Sequence, residues 1–129
     1  MGPVTSRRLL PLVADLVCVL ALALGGKSSH EPGDSDWVVL VIAWPFAVAA
    51  VLGHVMLLWR GRPTRRVWPE GATVVAVTYV LGMLLRSLSD RGLAPGFLVV
   101  AAVFLTVTML GWRLVTSRLT RRAGARRAR

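Results

Sequence analysis

Four side chains able to exchange protons or hydrogen bonds lie inside otherwise apolar runs: Asp15, His54, Thr78 and Tyr79. Polar groups placed in hydrocarbon are costly and usually carry a structural or functional job. A helix rises about 1.5 Å per residue, so sequence spacing converts into depth. Asp15 comes eight residues after Arg7, about 12 Å from the basic end of its run. His54 comes six residues before Arg60, about 9 Å from that same end. Thr78 and Tyr79 follow Gly71 by seven and eight residues, at about 11–12 Å. The four are therefore expected in one layer. A carboxylate, an imidazole and a phenol together have the makings of a proton-linked or ligand-binding site. The same groups also make a polar clasp between helices, at about 0.6–2 kcal/mol per hydrogen bond. Spacing sets the depth but leaves the helix faces open, so both readings stand.

A second group belongs nearer the opposite surface. Arg86 follows Gly71 by fifteen residues, about 22 Å along a helix. An Arg at mid-bilayer costs about 2.5–3.5 kcal/mol on insertion scales and less when its head reaches the interface. Its candidate partners are Asp90, at i+4, and Glu31 or Asp34. Thr78, Gly82 and Arg86 recur at i, i+4 and i+8 and share one helix face. One reading is a snorkelling Arg bridged to Asp90. The other is an anion or carboxylate site built from Arg86, Lys27, Ser28 and His30.

The remaining chemistry is sparse. His30 and His54 fall on opposite sides of the apolar layer, and no Cys/His pair has metal-ligand spacing. Cys18 is the single cysteine, a small hydrophobe in an apolar run. Gly25-Gly26-Lys27-Ser28 resembles the end of a phosphate loop but lacks its upstream glycine and strand. A serine nucleophile with base and orienting acid cannot be assembled at one depth. No catalytic, cofactor-binding or metal-ligating residue is assigned, no cofactor is expected, and an enzyme is the least favoured class.

The elements that must position these residues are four apolar runs, Leu9–Gly26, Trp37–Trp59, Gly71–Leu88 and Pro95–Val115. The chain has 129 residues, 55% of them hydrophobic and pooled in blocks. Runs of about 18 or more apolar residues span roughly 30 Å of hydrocarbon as helices, and helices satisfy their own backbone there. The expectation is an all-α, polytopic membrane protein: four transmembrane helices in an antiparallel bundle over residues 1–115, followed by a basic cytoplasmic tail, 116–129.

Of 16 Lys and Arg, 13 fall in the N-terminus, the Arg60–Glu70 loop and the tail, with Arg113 counted in the tail. Cytoplasmic loops are enriched in these residues, which predicts both termini inside and a multi-pass protein of the plasma membrane. The net charge of +10 then serves orientation and attraction to anionic lipid at that face, and nucleic acid is not expected. Arg7 and Arg8 before an apolar stretch, with Ala21-Leu22-Ala23 after it, resemble a secretory signal. Asp15 inside the stretch argues against cleavage. Pro45 is expected to kink the second helix near Val41, and the short Ser89–Ala94 loop makes helices three and four a hairpin. Ala43 with Ala47 and Ala49 with Gly53 have small-residue packing spacing, and Gly111 reads as a further close approach. A homo-oligomer is compatible with so thin a core.

At Asp15, Gly26-Lys27-Ser28-Ser29-His30, Trp44-Pro45, Gly82-Met83-Leu84-Leu85-Arg86, Ala94-Pro95-Gly96-Phe97 and Leu110-Gly111-Trp112-Arg113, the chain resembles a known family. This is the group of small four-helix bacterial membrane proteins called domain-of-unknown-function family 3054, frequent in actinobacteria. The likeness covers about residues 7–113. It implies a single four-span membrane domain and assigns no catalytic or binding residues.

The favoured function is non-enzymatic, a structural or interaction role. The alternative is a small proton-coupled transporter of a cationic or small polar substrate. Four spans with an acid in helix one are similar to the small multidrug-resistance exporters, which would make Asp15 the coupling residue with Tyr79 and Trp44 as aromatic walls. The chain departs from that group in its long basic tail and in carrying Asp where those exporters use Glu.

Overall fold

The computed structural model describes residues 3–28 and 36–129. It contains four helices, α1 (Pro3–Ser28), α2 (Trp37–Trp59), α3 (Ala72–Leu88) and α4 (Pro95–Arg127). Each, with α3 counted from Val67 through the turn that precedes it, is long and apolar enough to cross a membrane. Pro95 opens α4, where its missing N–H costs nothing and its fixed φ suits the first turn. Pro45, by contrast, sits inside α2, which continues unbroken from Trp37 to Trp59. A short turn over Val67–Gly71 breaks from helical geometry at Trp68 and delivers the chain into α3.

Neighbours in sequence are neighbours in space, and α4 closes the ring against α1. Gly26 near the end of α1 meets Ile42 near the start of α2, and Phe46 of α2 meets Gly82 late in α3. Successive helices therefore run antiparallel, as short connections require.

The core is built from one stripe per helix. On α1 it runs through Val19, Leu22 and Ala23, and on α2 through Ile42, Phe46, Ala49 and Ala50. On α3 it includes Val74 and Met83, and on α4 Ala101, Leu105 and Met109. Outside these stripes the surface stays apolar: Leu10, Val13 and Val17 on α1, and Val99, Val103 and Val107 on α4, are all exposed. A soluble monomer rarely leaves so continuous an apolar surface uncovered, whereas hydrocarbon solvates it.

Two glycines mark how closely α2 and α3 approach. A Cβ on Gly53 would rest 3.4 Å from Val77, ordinary contact, while one on Gly82 would fall 2.5 Å from the Phe46 ring. Phe46 is fully enclosed and packs against Phe97 at 6.1 Å between ring centroids, so it has nowhere to retreat. Gly111 is different. A Cβ there meets nothing within 4 Å, which corrects its reading as a close approach: the residue lies away from the α4 core stripe.

At the other end of α1 and α2, the Lys27 ammonium donates to the exposed Asp36 carboxylate at 2.5 Å. That hydrogen bond and the positive charge hold the Asp36 carboxyl below the ordinary carboxylate range. A depressed carboxyl keeps its pairing above the ordinary value and loses it as pH falls through the lowered one. Lys27→Ala is expected to return Asp36 to the ordinary range in an NMR carboxyl titration.

The glycine contrast yields a second expectation. Gly82→Ala should cost about 1–3 kcal/mol, the usual range for overpacking, and lower the thermal midpoint in detergent. Gly111→Ala, with open space beside it, should leave the midpoint unchanged or raise it.

Candidate functional site

Asp15 continues the buried stripe of α1, one turn before Val19, and its side chain is wholly enclosed. His54 lies on the buried stripe of α2 beside Gly53. Arg113 lies one turn beyond Met109 on the stripe of α4 and is also wholly enclosed. Three core positions on three helices thus carry ionisable groups, and the packing of the stripes brings them together.

Arg113 grips the carboxylate in a fork. Its Nη1 donates to Asp15 Oδ1 at 2.7 Å and its Nη2 to Oδ2 at 2.6 Å. His54 Nε2 donates to Oδ2 at 2.7 Å, and Trp112 Nε1 donates to Oδ1 at 2.8 Å. An ionised carboxylate offers about four acceptor sites, and here all four are filled. Facing a carboxylate, His54 Nε2 is the donor, while its enclosed Nδ1 has no partner.

Arg113 is itself nearly saturated. Its Nε donates to the Thr64 carbonyl at 3.1 Å, and Nη1 also reaches the Met109 carbonyl at 2.7 Å. The guanidinium carbon sits 4.5 Å from the Trp112 ring centroid, within cation–π range. One side chain thus ties α4 to α1 and to the connection between α2 and α3. Its direction follows from helix geometry. Cα–Cβ bonds tilt toward the helix N-terminus, so an Arg late in α4 reaches back toward the bundle centre, where Asp15 lies.

Gly71 makes room for this reach. A Cβ there would fall 2.7 Å from the Arg66 carbonyl and 2.9 Å from Arg113 Cδ. Beside it, Glu70 is enclosed, with Arg62 Nη1 3.4 Å from Oε1 and no partner on Oε2. A second acid therefore borders the cluster from the α3 side.

Of the layer Asp15, His54, Thr78 and Tyr79, the structure joins the first two. Thr78 is enclosed, and its hydroxyl has no hydrogen-bond partner. Tyr79 donates instead to the Leu98 carbonyl in the first turns of α4, at 3.1 Å. In the other group, Lys27 pairs with Asp36, and Asp90 is exposed in a left-handed conformation, φ 53°. Arg86 lies over the Phe97 ring, 4.3 Å from its centroid. The Ser28 side chain and His30 lie outside the described residues, as do Glu31 and Asp34. Trp112, Arg113, Thr64 and Glu70 escaped the sequence reading. Arg113 in particular sits in the core and not with the basic tail. The signal for it was present: 101, 105, 109 and 113 form one i+4 row, so the Arg occupies a core position of its helix.

A ring of four membrane-length helices with a lipid-compatible exterior defines a multi-pass helical membrane protein. The chain belongs to the family described as "Protein of unknown function (DUF3054)", whose model matches residues 12–116. That match takes in every side chain that touches Asp15. No curated protein and no solved structure matches the chain.

Breaking a buried ion pair leaves an uncompensated charge and costs about 3–5 kcal/mol, whereas replacing both partners with apolar groups is often nearly neutral. Asp15→Leu and Arg113→Leu are each expected to destabilise by that amount in detergent unfolding. The double substitution should recover most of the loss, a coupling read directly from the cycle.

Proposed function

We propose that this chain is a non-enzymatic membrane module in which the Asp15 cluster is a structural lock. The observation that carries the reading is the saturation of the carboxylate: four donors from three side chains on α2 and α4 occupy the acceptor sites that a transported proton or cation would need. A coupling carboxylate must exchange partners during a cycle, and a bidentate Arg with two further donors opposes that exchange. The net charge of the Asp15–Arg113 pair is zero, which suits permanent burial better than cyclic protonation.

The proposed setting is the plasma membrane with both termini in the cytoplasm, so that the basic end meets anionic lipid. Two clefts at that end support the lipid reading. One, of about 330 Å³, is lined by Arg7, Arg8, Arg62 and Arg65. The other, of about 860 Å³, brings Arg65, Arg66, Arg118 and Arg121 around Trp68. Guanidinium groups suit bidentate phosphate contact, and Trp suits the headgroup level. A partner protein or a second copy of the chain would use the same exposed helices.

The test compares stability with transport. Purified protein in proteoliposomes under a pH gradient is expected to accumulate no cationic dye in an Asp15-dependent way, while Asp15→Asn lowers the thermal midpoint by several degrees. Dye uptake that disappears in a folded Asp15→Asn protein would overturn the lock and favour the transporter.

A further inference from the structure

Toward the end of the bundle opposite Arg113, α1 and α4 part around a cavity of about 450 Å³. Its walls come from all four helices. Ala21, Leu22, Gly25 and Gly26 of α1 face Gly96, Phe97, Val100 and Phe104 of α4, with Ile42 of α2 and Arg86 of α3. Arg86 is the one ionisable residue in this lining. Along α1 the cavity wall is separated from the lock: Ala21 to Gly26 follow Asp15 by six to eleven residues, about 9–16 Å along the helix.

The chemistry of this cavity is unbalanced. Arg86 is half-buried and lies over Phe97, which supplies a ring face but no acceptor oxygen. Its Nε is enclosed and has no hydrogen-bond partner. Among the described residues no carboxylate pairs with it, and Asp90, four residues on, is exposed without such a bridge. A buried donor on a charged group that lacks its acceptor is costly. The opening turn of α4 adds to the positive character, because the first N–H groups of a helix have no partner within it, and Gly96 and Phe97 belong to that turn. Around this single cationic head the walls are apolar or have no side chain at all. A site with one positive head and hydrocarbon walls, opening from a helix bundle whose exterior faces lipid, complements an amphiphile with one anionic group on an alkyl chain.

We propose that the Arg86 cavity binds a single-chain amphipathic anion, its phosphate or carboxylate held by the Arg86 guanidinium and its chain lying between α1 and α4. The headgroup accepts from the two terminal nitrogens of the Arg86 guanidinium in the bidentate manner that guanidinium favours. The chain covers Leu22, Ile42, Val100 and Phe104. This inference is independent of the lock and of the basic clefts at the other end.

Native mass spectrometry of the full chain in neutral detergent tests it, with four probes titrated separately: lysophosphatidylglycerol, palmitate, lysophosphatidylcholine and inorganic phosphate. Lysophosphatidylglycerol and palmitate are expected to bind saturably with one copy per chain. Each should bind at least about tenfold more tightly than lysophosphatidylcholine, whose headgroup has no net charge, and inorganic phosphate should not compete. Arg86→Gln should reduce the two anionic probes to the lysophosphatidylcholine level. Gly96→Leu keeps the charge, and its Cβ meets no atom within 4 Å; with a thermal midpoint like the parent's, it should weaken both anionic probes by about tenfold through occupied space. Arg8→Gln combined with Arg65→Gln should leave the binding unchanged. A preference for lysophosphatidylglycerol over palmitate assigns the site to phospholipid, and the reverse assigns it to fatty acid. Equal binding by the parent, Arg86→Gln and Gly96→Leu would overturn the proposal, as would loss of binding only in the Arg8/Arg65 variant, or competition by inorganic phosphate alone.

Discussion

The arrangement rests on one buried ion pair. Asp15 and Arg113 stand 98 residues apart in sequence, on the first and last helices of the ring. In hydrocarbon, apolar packing between helices has little preference for one register over another, because lipid solvates Leu and Val as well as another helix does. A charge pair is different. It tolerates burial only when both partners are in place and their remaining hydrogen-bonding capacity is met. Here the requirement is met by His54 and Trp112 on the acid side and by the Thr64 carbonyl on the base side. Four segments of chain are thereby committed to one another, and sliding any of them by a turn would strand a charge.

The small residues follow from the same commitment. Gly71 sits where Arg113 must pass, and Gly82 sits where Phe46 must pack. Both positions are set by larger groups that could not be moved without cost. The cavity beside Arg86 is the complementary case. At that end α1 offers Ala21 and Gly25 to α4, and these are too small to close the gap. Tight clasping at one end and an open seam at the other are two outcomes of residue size along the same pair of helices.

Much of this was readable in the sequence, and the limit is physical. Hydropathy located the four helices because each must shield its backbone over a fixed thickness. Rise per residue placed Asp15 and His54 at similar depth, and they touch. The same depth placed Tyr79 with them, yet its hydroxyl turns to Leu98, because depth fixes position along a helix and says nothing about azimuth. Arg113 was assigned to the tail for its charge, although its i+4 relation to Met109, Leu105 and Ala101 puts it on the core face. Charge counting and periodicity gave opposite answers at that residue. Periodicity prevailed because, among the described residues, Arg113 is the Lys or Arg whose core position reaches the Asp15 carboxylate.

Helix α4 runs without interruption for 33 residues, about 50 Å, where some 30 Å suffices to cross hydrocarbon. Its last three turns carry Arg118, Arg121, Arg122 and Arg126 at spacings that place them along one side. A rigid rod transmits rotation, and the azimuth of this rod is held by Arg113 at its base. The compass direction in which the basic side points, relative to the other three helices, is therefore dictated from inside the bundle by a carboxylate on α1.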